Sequence, residues 1–118
     1  MIAYDNSRPG LVELTVSGTV TKDDITNVCA RMERDIEVSG TVKVLENVAG
    51  FAGIGPAAIW QDLKLAFPLA GKISHVAVVA DQAWIRAAAG FGRLFTSAEI
   101  RTFHTDELDA ARTWLQAA

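Results

Sequence analysis

Glu46 and Asp81 are the carboxylates whose positions first suggest chemistry, since each falls at or just after the end of a predicted strand, where acids and bases act in α/β proteins. Acid/base work by the pair needs a defined carboxyl separation that spacing along the chain does not supply, and Asp81 is equally explained as a helix cap. His75 and His104 stand at the start of one predicted strand and beyond the end of another, without metal-ligand spacing, and read as structural or surface histidines. The one cysteine, Cys29, lies on the apolar stripe of a helix with no basic side chain beside it, which suits a small apolar filler. No G-x-S-x-G elbow is present. The expectation is therefore no catalytic residue, no metal and no cofactor, with an enzyme the least supported class.

The most unusual stretch is Val48 to Trp60 (Val-Ala-Gly-Phe-Ala-Gly-Ile-Gly-Pro-Ala-Ala-Ile-Trp), which holds no charged side chain and no hydroxyl. It is too short and too rich in Gly and Pro to span a bilayer, which takes roughly 20 apolar residues. Gly50, Gly53 and Gly55 give the spacing G-x-x-G-x-G, which is not a dinucleotide fingerprint; Pro56 removes a backbone donor and no P-loop lysine follows. One reading has Phe51 and Ile54 tucked into the core, with glycines permitting tight turns. The other has an exposed or gated apolar mouth at the carboxyl end of a strand, where ligand crevices form. Its lining would be Phe51, Ile54, Trp60 and Phe67, joined by Trp84, Phe91 and Phe95.

Charge placement bears on that choice. Residues 1–47 carry five basic and eight acidic side chains, residues 48–104 five and three, and residues 105–118 one and three. Lys64, Lys72, Arg86 and Arg93 lie in the positive part and are candidates for contact with lipid headgroups, although charge runs on helices usually mean only solvated faces. The whole chain of 118 residues has a net charge of −3, so no basic field recruits nucleic acid. Half the residues are apolar and 21% are charged, the balance of a globular domain, and the length suits one domain spanning 1–118. A single cysteine and an N-terminus lacking a basic-then-apolar leader point to the cytoplasm.

Pattern then gives the elements that must position these residues. Ile2 to Tyr4 and Leu11 to Ser17 read as a hairpin around the turn residues Asn6 to Gly10, with Gly18 breaking the second strand. Thr21 and Asp24 form a capping box, and Ile25, Val28, Cys29, Met32 and Ile36 give the buried stripe of a helix that Ser39-Gly40 ends. Thr41 to Asn47 reads as a strand followed by a loop. A helix starts at Pro56 with Ile59, Leu63, Ala66 and Phe67 inward, and Pro68 and Gly71 end it. Ile73 to Ala80 is the most apolar strand and is expected to be central. A helix capped by Asp81 follows, with Trp84, Ala88, Phe91 and Phe95 on one stripe. Glu99 to Phe103 is the last strand, and Thr105 or Asp106 caps a closing helix with Leu108, Ala111 and Leu115 inward. The order ββαβαβαβα implies an α/β fold, with a mostly parallel central sheet, an antiparallel N-terminal edge hairpin and flanking helices.

This order, with Leu11 to Gly18, Val76 to Trp84, Glu99 to Phe103 and Ala110 to Leu115, resembles the SpoIIAA-like family, a bacterial branch of the STAS-type fold that is also compared with CRAL-TRIO lipid-binding domains. The resemblance implies a four- or five-stranded sheet, no known enzymatic activity, and roles in binding an apolar ligand or a membrane surface. Anti-sigma-factor antagonists of the wider STAS group carry a phosphorylatable Ser or Thr at the start of the helix after the third strand, where a phosphate meets the helix's positive end. With no hydroxyl between Val48 and Trp60, that switch has no acceptor here.

The function expected is a non-enzymatic regulatory or carrier domain that binds a lipid or other apolar molecule, or that associates peripherally with the inner face of the membrane. The alternative is a protein-interaction module, including a homodimer, that uses the same apolar surface.

Overall fold

The computed structural model describes residues 1–65, 67–83, 85 and 97–118, the side chains of residues 49, 51, 54, 56, 59, 60, 62, 63 and 67 excepted. Five strands form one sheet in sequential order: β1 (Ile2–Arg8), β2 (Leu11–Val20), β3 (Val42–Ile54), β4 (Ile73–Val79) and β5 (Glu99–Phe103). β1 and β2 pair antiparallel, and the other neighbours pair parallel. The mostly parallel sheet with an antiparallel edge hairpin is thus as expected. The most apolar strand, β4, is interior, although β3 takes the middle position.

Helix α1 (Lys22–Ser39) begins at the expected capping box. The Thr21 hydroxyl accepts from the Asp24 N–H at 3.2 Å, and the Asp24 carboxylate accepts from the Thr21 N–H at 2.9 Å. That second bond holds the Asp24 carboxyl below the ordinary carboxylate range. The helix stops at Gly40, whose φ of +83° suits a residue without Cβ. Its stripe faces the sheet as the spacing requires: Val28 and Met32 pack on Val12, Leu14, Val42 and Val44, while Ile25 and Cys29 pack with Val20 and Ala58. Cys29 is buried in that cluster, as its position on the stripe suggests. The Tyr4 hydroxyl donates to Asp35, which also accepts from the Asn6 amide at 3.0 Å, so β1 is clasped to α1.

Helix α2 (Pro56–Leu65) starts at its proline as expected but is shorter, since a 3₁₀ segment, Phe67–Lys72, takes over before β4. The second layer is α3 (Leu108–Ala117), which covers the other face of the sheet. Its Ala111 and Leu115 are fully buried against Leu11, Leu45, Ala77, Val79 and Phe103, and Trp114 packs beside them. Burying such a leucine contributes roughly 2 kcal/mol. The helix expected after Asp81, with Trp84, Ala88, Phe91 and Phe95 on its stripe, lies outside the described residues.

Five expectations need correction. Gly18 does not break β2, which runs on to Val20, and β1 extends to Arg8 so that the turn is only Pro9-Gly10. Residues 48–54 are not a loop: β3 continues through them. Glu46 is consequently not at a strand end but mid-strand, opposite Leu14 and Val78. Neither Thr105 nor Asp106 caps the closing helix. The chain enters it through a 3₁₀ turn, Thr105–Glu107, at whose start the Glu107 carboxylate accepts from the His104 N–H at 2.8 Å.

Candidate functional site

The strands β2 to β5 run parallel, so their carboxyl ends share one end of the sheet, the usual place for a binding crevice in α/β folds. The ends are not level. The last pair joining β3 to β4 is Asn47 with Val79, whereas β2 and β3 stay paired as far as Val20 with Ile54. The two strands therefore form a ribbon that overhangs β4. Between the pairs Val16–Val48 and Gly18–Phe51, and again before Thr19–Gly53, β3 gains a residue on β2. These bulges contain Gly50 and Gly53, with φ of +69° and +155°, values that side chains with a Cβ rarely adopt.

Nearly all of the uncharged segment thus belongs to defined elements: the overhanging part of β3 and the first half of α2. Val48 is buried against Val78 and Ala80, and Ala58 is buried against α1. Ala52 and Ala57 are exposed. The segment is neither wholly core nor wholly surface. Gln61 anchors α2 to α1 by donating to the Thr26 hydroxyl at 3.0 Å. Lys64, in the last turn of α2, and Lys72, at the end of the 3₁₀ segment, are both exposed. The side chains of Phe51, Ile54, Trp60 and Phe67 lie outside the described residues, as do Trp84, Arg86, Phe91, Arg93 and Phe95 in full.

A polar group occupies the same end of the sheet beyond β4 and β5. Ala80 donates its N–H to the Phe103 carbonyl at 3.0 Å, which brings Asp81 next to the residues leaving β5. The Asp81 carboxylate accepts from the Thr105 hydroxyl at 2.6 Å and from the Thr105 N–H at 3.1 Å, and His104 Nδ1 lies 3.9 Å from it. Together with Asp106 and Glu107 these residues line an open cleft of about 690 Å³. Sequence reasoning placed Asp81, His104 and Thr105 separately. The signal that joins them is adjacency of parallel strands, because residues one or two places past neighbouring strand ends must meet.

Among the described residues the group does not form a hydroxyl–imidazole–carboxylate relay: in such a relay the imidazole stands between the other two, whereas here the Asp81 carboxylate stands between Thr105 and His104 and accepts the hydroxyl's hydrogen bond. Among the described residues no three His, Cys, Asp or Glu side chains converge to hold a metal ion, and no helix is long and apolar enough to cross a membrane. His75 is held elsewhere: its Nε2 lies 3.5 Å from Glu99 Oε2, and its ring meets the edge of Trp114 at 5.7 Å between centroids.

No curated protein matches the sequence. Among solved structures, an uncharacterized protein of the DUF3478 family with a SpoIIAA-like fold, from Shewanella loihica PV-4, superposes with a TM-score of 0.80 at 21% identity, over 98% of this chain and 92% of its own. The anti-sigma factor antagonist SpoIIAA in its unphosphorylated form superposes with a TM-score of 0.63 at 12% identity, over 95% of this chain and 98% of its own. These likenesses establish the fold. The SpoIIAA-like family model matches residues 11–116, from the first residue of β2 to the last turn of α3, and the chain belongs to the SpoIIAA-like family.

Proposed function

We propose that the chain is a non-enzymatic regulatory module that binds a protein partner through the carboxyl end of its sheet. The observation that carries this reading is the segment from Val48 to Trp60, thirteen residues without a charge or a hydroxyl, of which Val48 to Ile54 lie on a ribbon that overhangs β4 and Pro56 to Trp60 begin α2. Gly50 and Ala52 are exposed on the ribbon, and charge-free surface is what the centre of an interface favours. The fold shared with an anti-sigma factor antagonist supports a partner-binding role. Partner binding here does not depend on phosphorylation of that segment, because it offers no hydroxyl. The test is a photo-crosslinking residue placed in the cell at exposed Ala57. The expected outcome is a crosslink to a discrete protein, a second copy included, that Ala52→Asp diminishes. A crosslink pattern indifferent to Ala52→Asp rejects this surface.

A second reading, in which the segment meets an apolar ligand or a membrane, is favoured by exposed Lys64 and Lys72, with Asp62 the one acidic residue between positions 47 and 80. Sedimentation with anionic vesicles that is lost in both Phe51→Asp and Lys64→Glu establishes it. No sedimentation, and no lipid carried through native mass spectrometry, rejects it.

A further inference from the structure

The amino end of the sheet carries a different chemistry, remote from the interaction surface proposed above. Strand register sets Arg8 beside Leu11, Leu11 beside Lys43, Lys43 beside His75, and His75 beside Glu99, one lateral row across all five strands. The row lies on the face covered by α3, since Leu11 packs there with Leu45, Ala77 and Leu115. Neighbouring strands are about 4.8 Å apart, so Arg8 and Lys43 spring from points about 10 Å apart, a gap that two long basic side chains close around one small anion.

A cavity of about 340 Å³ opens at this place, and its polar lining is Arg8, Thr41, Lys43, Ser74 and Gln116. It has two cations, two hydroxyls and an amide, with no carboxylate side chain. Arg8 has no ion pair or side-chain hydrogen bond among the described residues. The Asp5 carboxylate feels its charge but directs Oδ1 to the Ser7 N–H at 2.8 Å. The Lys43 ammonium donates to the Leu115 carbonyl at 2.8 Å and to the Ala118 carbonyl, which fixes it at the cavity and leaves one of its three protons for a ligand. On the far side of Leu11, the other nearby arginine, Arg112, is held by Glu13 at 2.7 Å. Arg8 is therefore the guanidinium available to an incoming acceptor.

We propose that this cavity binds a small organic oxyanion. Arg8 supplies a planar fork of donors, Lys43 a point charge and the Thr41 hydroxyl a further hydrogen bond, with Ser74, whose Oγ already meets His75 Nδ1 at 2.9 Å, completing the wall. A phosphate ester and a carboxylate share the required chemistry, and the test separates them.

Amide chemical shifts are followed at neutral pH and constant ionic strength in chloride, while inorganic phosphate or, in a parallel series, succinate is added. The expected result is a saturable shift at Thr41, Lys43 and Ser74 that weakens about tenfold in Arg8→Ala, the loss of one charge-assisted contact, and that is partly retained in Arg8→Lys. Tighter binding of phosphate assigns a phosphate-bearing ligand, and tighter binding of succinate a carboxylate. Arg8 is exposed and outside the core, so the Ala variant stays folded, which circular dichroism checks. The proposal is overturned if neither anion gives a saturable shift, or if Arg8→Ala responds like the parent chain.

Discussion

Asp81 and Thr105 are separated by 24 residues, yet one carboxylate receives both the hydroxyl and the backbone N–H of the threonine. The bonds tie the segment leaving β4 to the segment leaving β5, just where the chain turns into α3.

Replacing Thr105 by Val keeps the side-chain shape and the backbone bond while removing the hydroxyl. Both partners are exposed, so the expected loss is about 1 kcal/mol, read as a lower urea midpoint with an unchanged slope. Asp81→Asn is expected to lose less than Thr105→Pro, which also deletes the N–H donor.

The capping box of α1 makes stability depend on acid. The Asp24 carboxyl is lowered chiefly by its bond from the Thr21 N–H, and the Asp5 carboxyl chiefly by its bond from the Ser7 N–H. A carboxyl lowered in the folded state contributes stability that is fully present above its unfolded value, near 3.8, and disappears as pH falls through the lower folded value. Thermal unfolding scans from neutral pH downward are therefore expected to lose stability below about pH 4, and Asp24→Asn is expected to flatten part of that loss. At neutral pH, Thr21→Ala is expected to cost about 1 kcal/mol.

The bulged ribbon is sensitive to a single methyl group. Among the described residues nothing lies within 4 Å of where a Cβ at Gly50 or Gly53 would stand, and the positive φ makes the cost of substitution conformational. Gly50→Ala, at φ +69°, is expected to destabilise by about 1 kcal/mol, while Gly55→Ala, where φ is not positive, is expected to change little. Denaturant unfolding of the two variants side by side measures the difference.

Much of the fold was legible because the signals were local. Thr21 with Asp24 marks a helix start, the stripe Ile25, Val28, Cys29 and Met32 marks its buried face, and Glu99 to Phe103 matches β5 residue for residue. The β2–β3 ribbon was not legible, because Gly18, Gly50 and Gly53 look like strand breakers. In the fold they are bulges within a ladder, and pairing between strands decides which role a glycine takes. Glu46 was misplaced for the same reason, since a strand cut at Asn47 puts it at an end that does not exist. The site was legible only as a stretch of composition. That Asp81 meets Thr105, or that Arg8 shares a row with Lys43, depends on register, which is set between strands far apart in the chain.

Because spatial order repeats chain order from β1 through β5, no strand has to be threaded between two that already stand side by side. Each strand that emerges during synthesis can therefore add to an edge already made. α3, the last element in the chain, covers Leu11 and Leu45 with Leu115, so one face of the sheet has its cover only when the C-terminal residues are present.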